Sequence, residues 1–325
     1  MKLTERFDAL DDNLKLDPKE RTRAQKVHRF IGDILVRAGI AKRTRLQGSL
    51  ARKTMLPPLH DIDKVIELAD SLREQFGGPG GPLLVMELIR AAIVAEIPNA
   101  RFEVKKHALG IVLPDDGFDF DAVPAFNPED GSGWIQIANT HATGGEEAWK
   151  PSNTYELIDT ISARNLLCGG KFVRQVRMAK QVIETAGLAK TLPGLHVETF
   201  AFFAISGSME HADAVSTTLA TAHELLGSTY TDPTGADQIS DRLEDWSVVT
   251  ARAAIETLAA RAAEAQQLAD GGDETAAGHI WADLFGENFP RPTDAQEKAL
   301  LSGLYAGRTV AMTNRPAPST RAWRP

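Results

Sequence analysis

The sequence predicts an α/β protein of two lobes, a mixed sheet with its helices followed by an all-helical body. Short runs in which apolar and polar residues alternate, RFEVKKHALGIVL and GFDFDAV, read as strands of a half-buried sheet. From about Tyr155 onward such runs cease, and apolar residues recur at spacings of three and four instead. The length agrees, because 325 residues suffice for two domains with separate cores.

The first strong element spans Asp17 to Ala38. Asp17 is placed to cap it, Pro18 takes the first helical position, Glu20 completes a capping box and Gly39 ends it. Ala24, Val27, Ile31, Ile34, Leu35 and Ala38 form its inward stripe. A basic strand-like stretch, KRTRLQ, leads into GSLARKTMLPPLHDIDKVIEL. The loop from Gly77 to Pro82 reads as a plain turn, since it lacks the Gly-Lys-Ser/Thr of a phosphate loop. An apolar helix then runs from about Leu83 to Ile97 and is closed by Pro98. In the second lobe, helices are expected in NTYELIDTISARN, KFVRQVRMAKQVIETAG, HVETFAFFAIS, HADAVSTTLATAHELLG and DRLEDWSVVTARAAIETLAARAAEAQQLA. The final NRPAPSTRAWRP has little to pack and is expected to be a disordered basic tail.

Composition narrows the chemistry. The single cysteine, Cys168, excludes an intramolecular disulfide, a thiolate zinc cage and an iron–sulfur centre, and suits a reducing cytosol. The eight histidines show no zinc-ligand spacing. No run approaches the roughly 18 apolar residues of a membrane span, and the N-terminus lacks the apolar stretch of a signal peptide, so a cytoplasmic protein without a membrane partner is expected. A net charge of −8 is not that of a constitutive nucleic-acid binder. The charge is uneven, however: Lys19 to Lys53 holds eleven basic and two acidic residues, and Arg164 to Lys190 holds six and one. Either these are solvated helix faces, or part of each lines a cleft for polyphosphate.

The acidic motifs lie between those basic segments. Alternate side chains of a strand project from one face, so Asp61 and Asp63 of HDIDKV point the same way, as do Asp119 and Asp121 of GFDFDAVP. Carboxylates crowded in this manner repel unless a cation sits between them, and oxygen-only ligation favours Mg²⁺ or Mn²⁺. Two such ions suit an in-line phosphoryl displacement. A lone D-x-D is weak evidence. Here Gly48 and Ser49 stand upstream with eleven residues between them and Asp61, where a glycine permits close backbone approach and a hydroxyl donates to phosphate oxygens.

At this point the sequence resembles the nucleotidyltransferase superfamily with the polymerase-beta-like fold, and within it the branch of cyclic GMP-AMP synthase, oligoadenylate synthetase and the bacterial CD-NTases of CBASS anti-phage systems. The resemblance rests on GSLARKT, DIDKVI, DFDAVPAF, KFVRQVRMAK, LPGLHVETF, DPTGADQIS and WADLFGENFP, in that order. It implies a catalytic lobe over residues 1–154 with a long N-terminal helix bridging to an oligoadenylate-synthetase-like helical lobe over 155–312, and a tail over 313–325. It makes Asp61, Asp63 and Asp121 the catalytic acids and ligands of two Mg²⁺ or Mn²⁺ ions. Strand parity does not choose Asp121 over Asp119; the hydrophobic-Val-Pro element after Asp121 does so by resemblance. Gly48 and Ser49 would hold the donor triphosphate. Lys53 and Gly194 depart from the family, standing where a small glycine and a serine are frequent.

Lys180 shares an apolar stripe with Val173, Val176 and Ile183, which leaves snorkelling to the surface as one reading. The resemblance favours a triphosphate contact instead, with Arg177 as a weaker partner. Trp134 and Trp149 flank the loop THATGGEEAW and are read as packing residues before base-stacking ones, His60 is read as structural, and Trp246 and Trp281 are expected in the helical core. The expected activity is synthesis of a cyclic di- or trinucleotide messenger from ATP, GTP or other nucleoside triphosphates, read by a separate effector in anti-phage defence. The alternatives are a nucleotidyltransferase that modifies RNA, a protein or a small molecule such as an antibiotic, and a metal-dead binding module. Activation by duplex nucleic acid through the basic segment is a further option, not favoured by the overall charge.

Overall fold

The computed structural model describes residues 1–59, 61–114, 118–143 and 146–292, and of Asp61 and Phe118 the backbone only. His60, part of the THATGGEEAW loop, the end of the helical lobe beyond 292 and the basic tail lie outside the described residues.

Two helices open the chain, α1 (Leu3–Asn13) and α2 (Pro18–Arg37). The Lys19 N–H donates to the Asp17 carboxylate at 2.7 Å and Pro18 holds the first helical position, so the cap is a single bond to the second residue rather than the reciprocal box expected with Glu20. Ala38 caps the other end, and Gly39 turns the chain away with φ of 69°. Then come β1 (Ala41–Leu46), the short α3 (Gly48–Arg52), β2 (Asp61–Leu68), α4 (Arg73–Phe76), α5 (Gly81–Glu96) and the strands β3 (Arg101–Val104), β4 (Leu109–Leu113) and β5 (Phe118–Phe126). The short β6 (Ile135–Ala138) and β7 (Trp149–Ser152) complete the sheet.

The strands run in the order β1-β2-β5-β4-β3, with β6 and β7 added on the last residues of β5. Among the described strands only β2 and β5 pair in parallel, so the sheet is mixed, as expected. One face packs against α2 and α5: Ile62, Ile66, Phe120 and Ala122 join Ile31, Leu35, Val85 and Ile89 in one core. Period two puts Asp61, Asp63, Val65 and Glu67 on the other face, with Asp121, Val123 and Ala125. That face meets the first helix of the second lobe, α6 (Thr154–Leu167), where Tyr155 packs near Val65 and Ala125 and its hydroxyl donates to the buried Glu67 at 2.7 Å.

The second lobe continues through α7 (Phe172–Thr185), α8 (Gly194–Ala204), α9 (His211–Leu225), α10 (Asp245–Asp270) and α11 (Glu274–Phe285). Its core also takes α1, whose Leu3, Phe7 and Leu10 are buried in it. The Phe7 ring meets Trp281, Phe285 and Phe289 edge-on at 5.2 to 5.7 Å. The N-terminal helices therefore span both lobes as a pair, α1 in the helical core and α2 on the sheet. Trp281 is fully buried as expected, but Trp246 is 60% exposed. It stands nine residues before the buried Ile255, half a turn out of phase with the stripe of Ala251, Ile255 and Ala262. Among the described residues no helix is long and apolar enough to cross a membrane.

Candidate active site

The parallel register sets Asp61 beside Asp119 and Asp63 beside Asp121. Two D-x-D motifs that are 58 residues apart in sequence thus lie side by side at the start of two adjacent strands, and Asp63 with Asp121 makes an acidic patch there. Asp63 and Asp121 are half-buried, whereas Asp119 is exposed. Gly48 begins α3 directly over this patch with φ of 68°, and a β-carbon on it would lie 1.8 Å from Asp63 Oδ2. The Gln47 N–H donates to the Asp63 carbonyl at 3.0 Å, which pins the loop to the strand. The glycine is needed twice, for the left-handed backbone and for the approach to the carboxylate.

Lys105, in the β3–β4 hairpin, was not singled out by the sequence. Its Nζ donates to both Asp121 oxygens, at 2.7 and 2.9 Å, and its stem passes 3.1 Å from the missing β-carbon of Gly110. Gly110 is the β4 register partner of Asp121, so a side chain there would obstruct the lysine.

Lys180 does not snorkel. Its ammonium, on a 10% exposed side chain, donates to Glu198 of α8 at 2.6 Å and to the Thr54 carbonyl at 3.1 Å. Glu198 is fully buried and also takes Arg52 Nε at 2.6 Å and the Thr54 hydroxyl at 2.7 Å. Burial alone would raise this carboxyl, but the charges of Arg52 and Lys180 override it and hold it at about 2. The cluster ties the end of α3 to α7 and α8, so the loop over the acids is braced by the helical lobe. Gly194 leaves room for Lys180: a β-carbon there would sit 3.1 Å from its Cε and Nζ.

Arg177 lies one turn earlier and faces Asp11 of α1 at 2.7 Å and the Lys53 carbonyl at 3.1 Å. The structure brings Gly48, Asp63 and Asp121 together, and places Lys180 at the far end of α3 from them with Arg177 beyond it. Much of the first basic segment is answered locally: Lys42 pairs with Asp70 and Glu129, Arg43 and Arg45 with Glu67, and Arg52 with Glu198. Trp149 is a packing residue, buried with its ring 4.5 Å from Phe126 and its Nε1 donating to the Phe76 carbonyl at 2.9 Å. Trp134 is half-buried.

Among the described residues no three acidic, histidine or cysteine side chains gather as a metal site; the Asp61 side chain is not among them. The donor set nevertheless fits a hard divalent cation. It is all oxygen, its strand register aligns the acids in pairs, and Asp121 already receives a cationic group in the Lys105 ammonium.

Residues 1–165 match the Second Messenger Oligonucleotide or Dinucleotide Synthetase domain, abbreviated SMODS. The fold is similar to that of the Bradyrhizobium diazoefficiens CD-NTase CdnG in complex with GTP (14% identity, TM-score 0.66, covering 94% of this chain and 99% of that one). It is also similar to the E. coli MS115-1 CdnC:HORMA-deltaN complex (16%, 0.64, 87% and 96%). A third likeness is to the Vibrio cholerae DncV cyclic AMP-GMP synthase with its linear intermediate pppA(3',5')pG (14%, 0.59, 76% and 69%). No curated protein sequence matches the chain.

Proposed function

Because the chain belongs to the second messenger oligonucleotide or dinucleotide synthetase family and is a nucleotidyltransferase of the CD-NTase type, we propose that it joins nucleoside triphosphates, ATP, GTP or others, into a cyclic di- or trinucleotide. The observation that carries this reading is the meeting of Asp63 and Asp121 across β2 and β5 directly beneath Gly48. Asp61, Asp63 and Asp121 are the residues to hold two Mg²⁺ or Mn²⁺ ions, which supply charge neutralisation and Lewis acidity to phosphoryl transfer.

The remaining work belongs to the chain. Ser49 offers a hydroxyl to the donor phosphates, and Gly48 lets them approach the backbone beside the acids. Lys180 adds positive charge from the helical lobe, oriented by Glu198, and its ammonium has the space left by Gly194 in which to reach phosphate. Arg177 supports the same helix. The face of the sheet that bears the acids looks toward the helical lobe, an arrangement that excludes water and confines a linear intermediate until its own triphosphate becomes the next donor. The product is read by a separate effector in anti-phage defence, and the enzyme works in the cytoplasm without duplex activation. The local pairing of Lys42, Arg43, Arg45 and Arg52 supports that last point.

The test is incubation of the purified protein with labelled nucleoside triphosphates and Mg²⁺ or Mn²⁺, followed by phosphatase and mass spectrometry. A small phosphatase-resistant species is expected, because cyclisation leaves no terminal phosphate. Label on added RNA, on the protein or on an aminoglycoside, with no such species, overturns the reading.

A further inference from the structure

The two sides of the Asp63 and Asp121 pair are built differently. On the β2 side Gly48 stands over Asp63, where a β-carbon would meet Oδ2 at 1.8 Å, and Ser49 follows it in α3. On the β5 side the Lys105 ammonium holds both oxygens of Asp121. The two acids are register partners, and neighbouring strands lie about 5 Å apart. The Gly48–Ser49 loop and the Lys105 ammonium therefore stand one strand spacing from each other, over the same pair of carboxylates.

The hairpin that carries Lys105 is tied down in its backbone. The Lys105 N–H donates to the Ala108 carbonyl at 2.8 Å and closes the turn. Thr140, in the segment after β6, donates its N–H to the Lys106 carbonyl at 2.9 Å and its hydroxyl to the Lys105 and Lys106 carbonyls at 3.1 Å. His107 Nδ1 lies 2.6 Å from the Ala138 carbonyl. The lysine stem, by contrast, runs over Gly110, which sets no side chain against it. The ion pair is a poor brace for the fold, because side chains 42% and 22% exposed make a pair worth little to stability. Its effect is on charge: the ammonium neutralises Asp121, and a divalent ion on the same oxygens would repel it.

We propose that Lys105 exchanges partners: its ammonium rests on Asp121 in the metal-free protein and moves to the phosphates of the bound nucleotide when Asp121 takes a divalent ion. This rests on reading Asp121 as a metal ligand of a nucleotidyltransferase. The anchored hairpin keeps the lysine within reach while its flexible four-carbon stem supplies the movement. Asp119 is the other acid along β5 on this face, two residues from Asp121 and exposed. A solvated single carboxylate attracts the ammonium less than a polyphosphate seated over the acids. Lys180 answers Glu198 at the far end of α3, so the two lysines approach the nucleotide from different lobes.

Amine acylation of the full chain, read by mass spectrometry, follows Lys105 without relying on turnover, and the exposed Lys106 of the same hairpin is the internal reference. The states compared are EDTA, Mn²⁺ alone, and Mn²⁺ with the α,β-methylene analogues of ATP and GTP, which cannot transfer a nucleotidyl group. Labelling of Lys105 relative to Lys106 is expected to be low in EDTA, to rise several-fold with Mn²⁺ and to fall again with an analogue. In Mn²⁺, Lys105→Met should weaken analogue binding by roughly tenfold or more, and Lys105→Arg should recover most of it. Flat labelling, or equal analogue affinity in wild type and Lys105→Met, while calorimetry shows Mn²⁺ and analogue bound, overturns the exchange and leaves the nucleotidyltransferase reading standing. Failure of Mn²⁺ or of both analogues to bind overturns both. Labelling that rises with Mn²⁺ only in Asp119→Asn assigns the displaced ammonium to Asp119 and also overturns the proposal.

Discussion

The ammonium of Lys105 lies 2.7 and 2.9 Å from the two oxygens of Asp121, gripping the carboxylate from a different hairpin. A cation so placed competes with any metal ion for the same oxygens. Lys105→Ala should therefore bind Mn²⁺ more tightly, by about 1 kcal/mol or roughly fivefold at the effective dielectric of a partly exposed site. Electron paramagnetic resonance of free Mn²⁺ measures this, and an unchanged affinity would separate Lys105 from the metal position.

Asp63→Asn, Asp121→Asn and Asp61→Asn should each abolish turnover with little change in thermal midpoint, since each removes a charge from the rim of the sheet without touching its core. Asp119→Asn should be milder. The decisive comparison is turnover of Asp119→Asn against Asp121→Asn; the reverse order would reassign the third acid.

Gly48→Ala places a methyl group 1.8 Å from Asp63 Oδ2 on a left-handed backbone. It should cost about 1–2 kcal/mol of stability through the backbone alone, and activity should fall as far as in Asp63→Asn. Urea denaturation alongside turnover separates the two effects. A variant that folds and works normally would place the glycine away from the chemistry.

Glu198→Gln leaves Arg52 and Lys180 buried without a counter-charge and should destabilise the fold by about 3–5 kcal/mol at pH 7. Adding Lys180→Met should restore part of that loss. The sign with pH follows from a folded value of about 2 against an ordinary 4.5: the carboxylate's contribution is complete above 4.5 and is lost as pH falls from there toward 2. Denaturation midpoints across that range should fall more steeply in wild type than in Glu198→Gln.

His196 is buried, its Nδ1 lies 2.8 Å from the Tyr230 hydroxyl, and desolvation lowers it from 6.5 to about 4. The unfolded chain takes up the proton first, so stability should decline between pH 6.5 and 4, by up to about 3 kcal/mol from this residue. Replacing His196 with Asn should flatten that part of the stability profile, whatever it does to the absolute midpoint at pH 7.

What the sequence made legible was local. The spacing of Asp61, Asp63, Asp119 and Asp121, the cap at Asp17 and the stripe around Lys180 each depend on neighbours a few residues away, and periodicity reports them. Glu198 as the partner of Arg52 and Lys180, and Lys105 as the partner of Asp121, depend on how α8 meets α3 and how β4 registers with β5, which no local pattern encodes. Trp246 was misplaced by residue type alone, although its phase against Ile255 was there to be counted. The helix α1 was missed although Leu3, Phe7 and Leu10 follow helical spacing, because their burial is provided by residues beyond 170.

That last arrangement has a consequence for synthesis on the ribosome. Phe7 is made more than 270 residues before Trp281, Phe285 and Phe289, against which its ring packs. Closing a contact over so long a separation is slow and entropically costly. The sheet lobe, whose strands and α2 lie within the first half, has all its partners long before that. The emerging chain should thus carry a folded sheet lobe while α1 still exposes Leu3, Phe7 and Leu10, and docking of α1 should be a late step. Until it docks, the apolar face of α1 is an accessible target for chaperones that bind nascent chains.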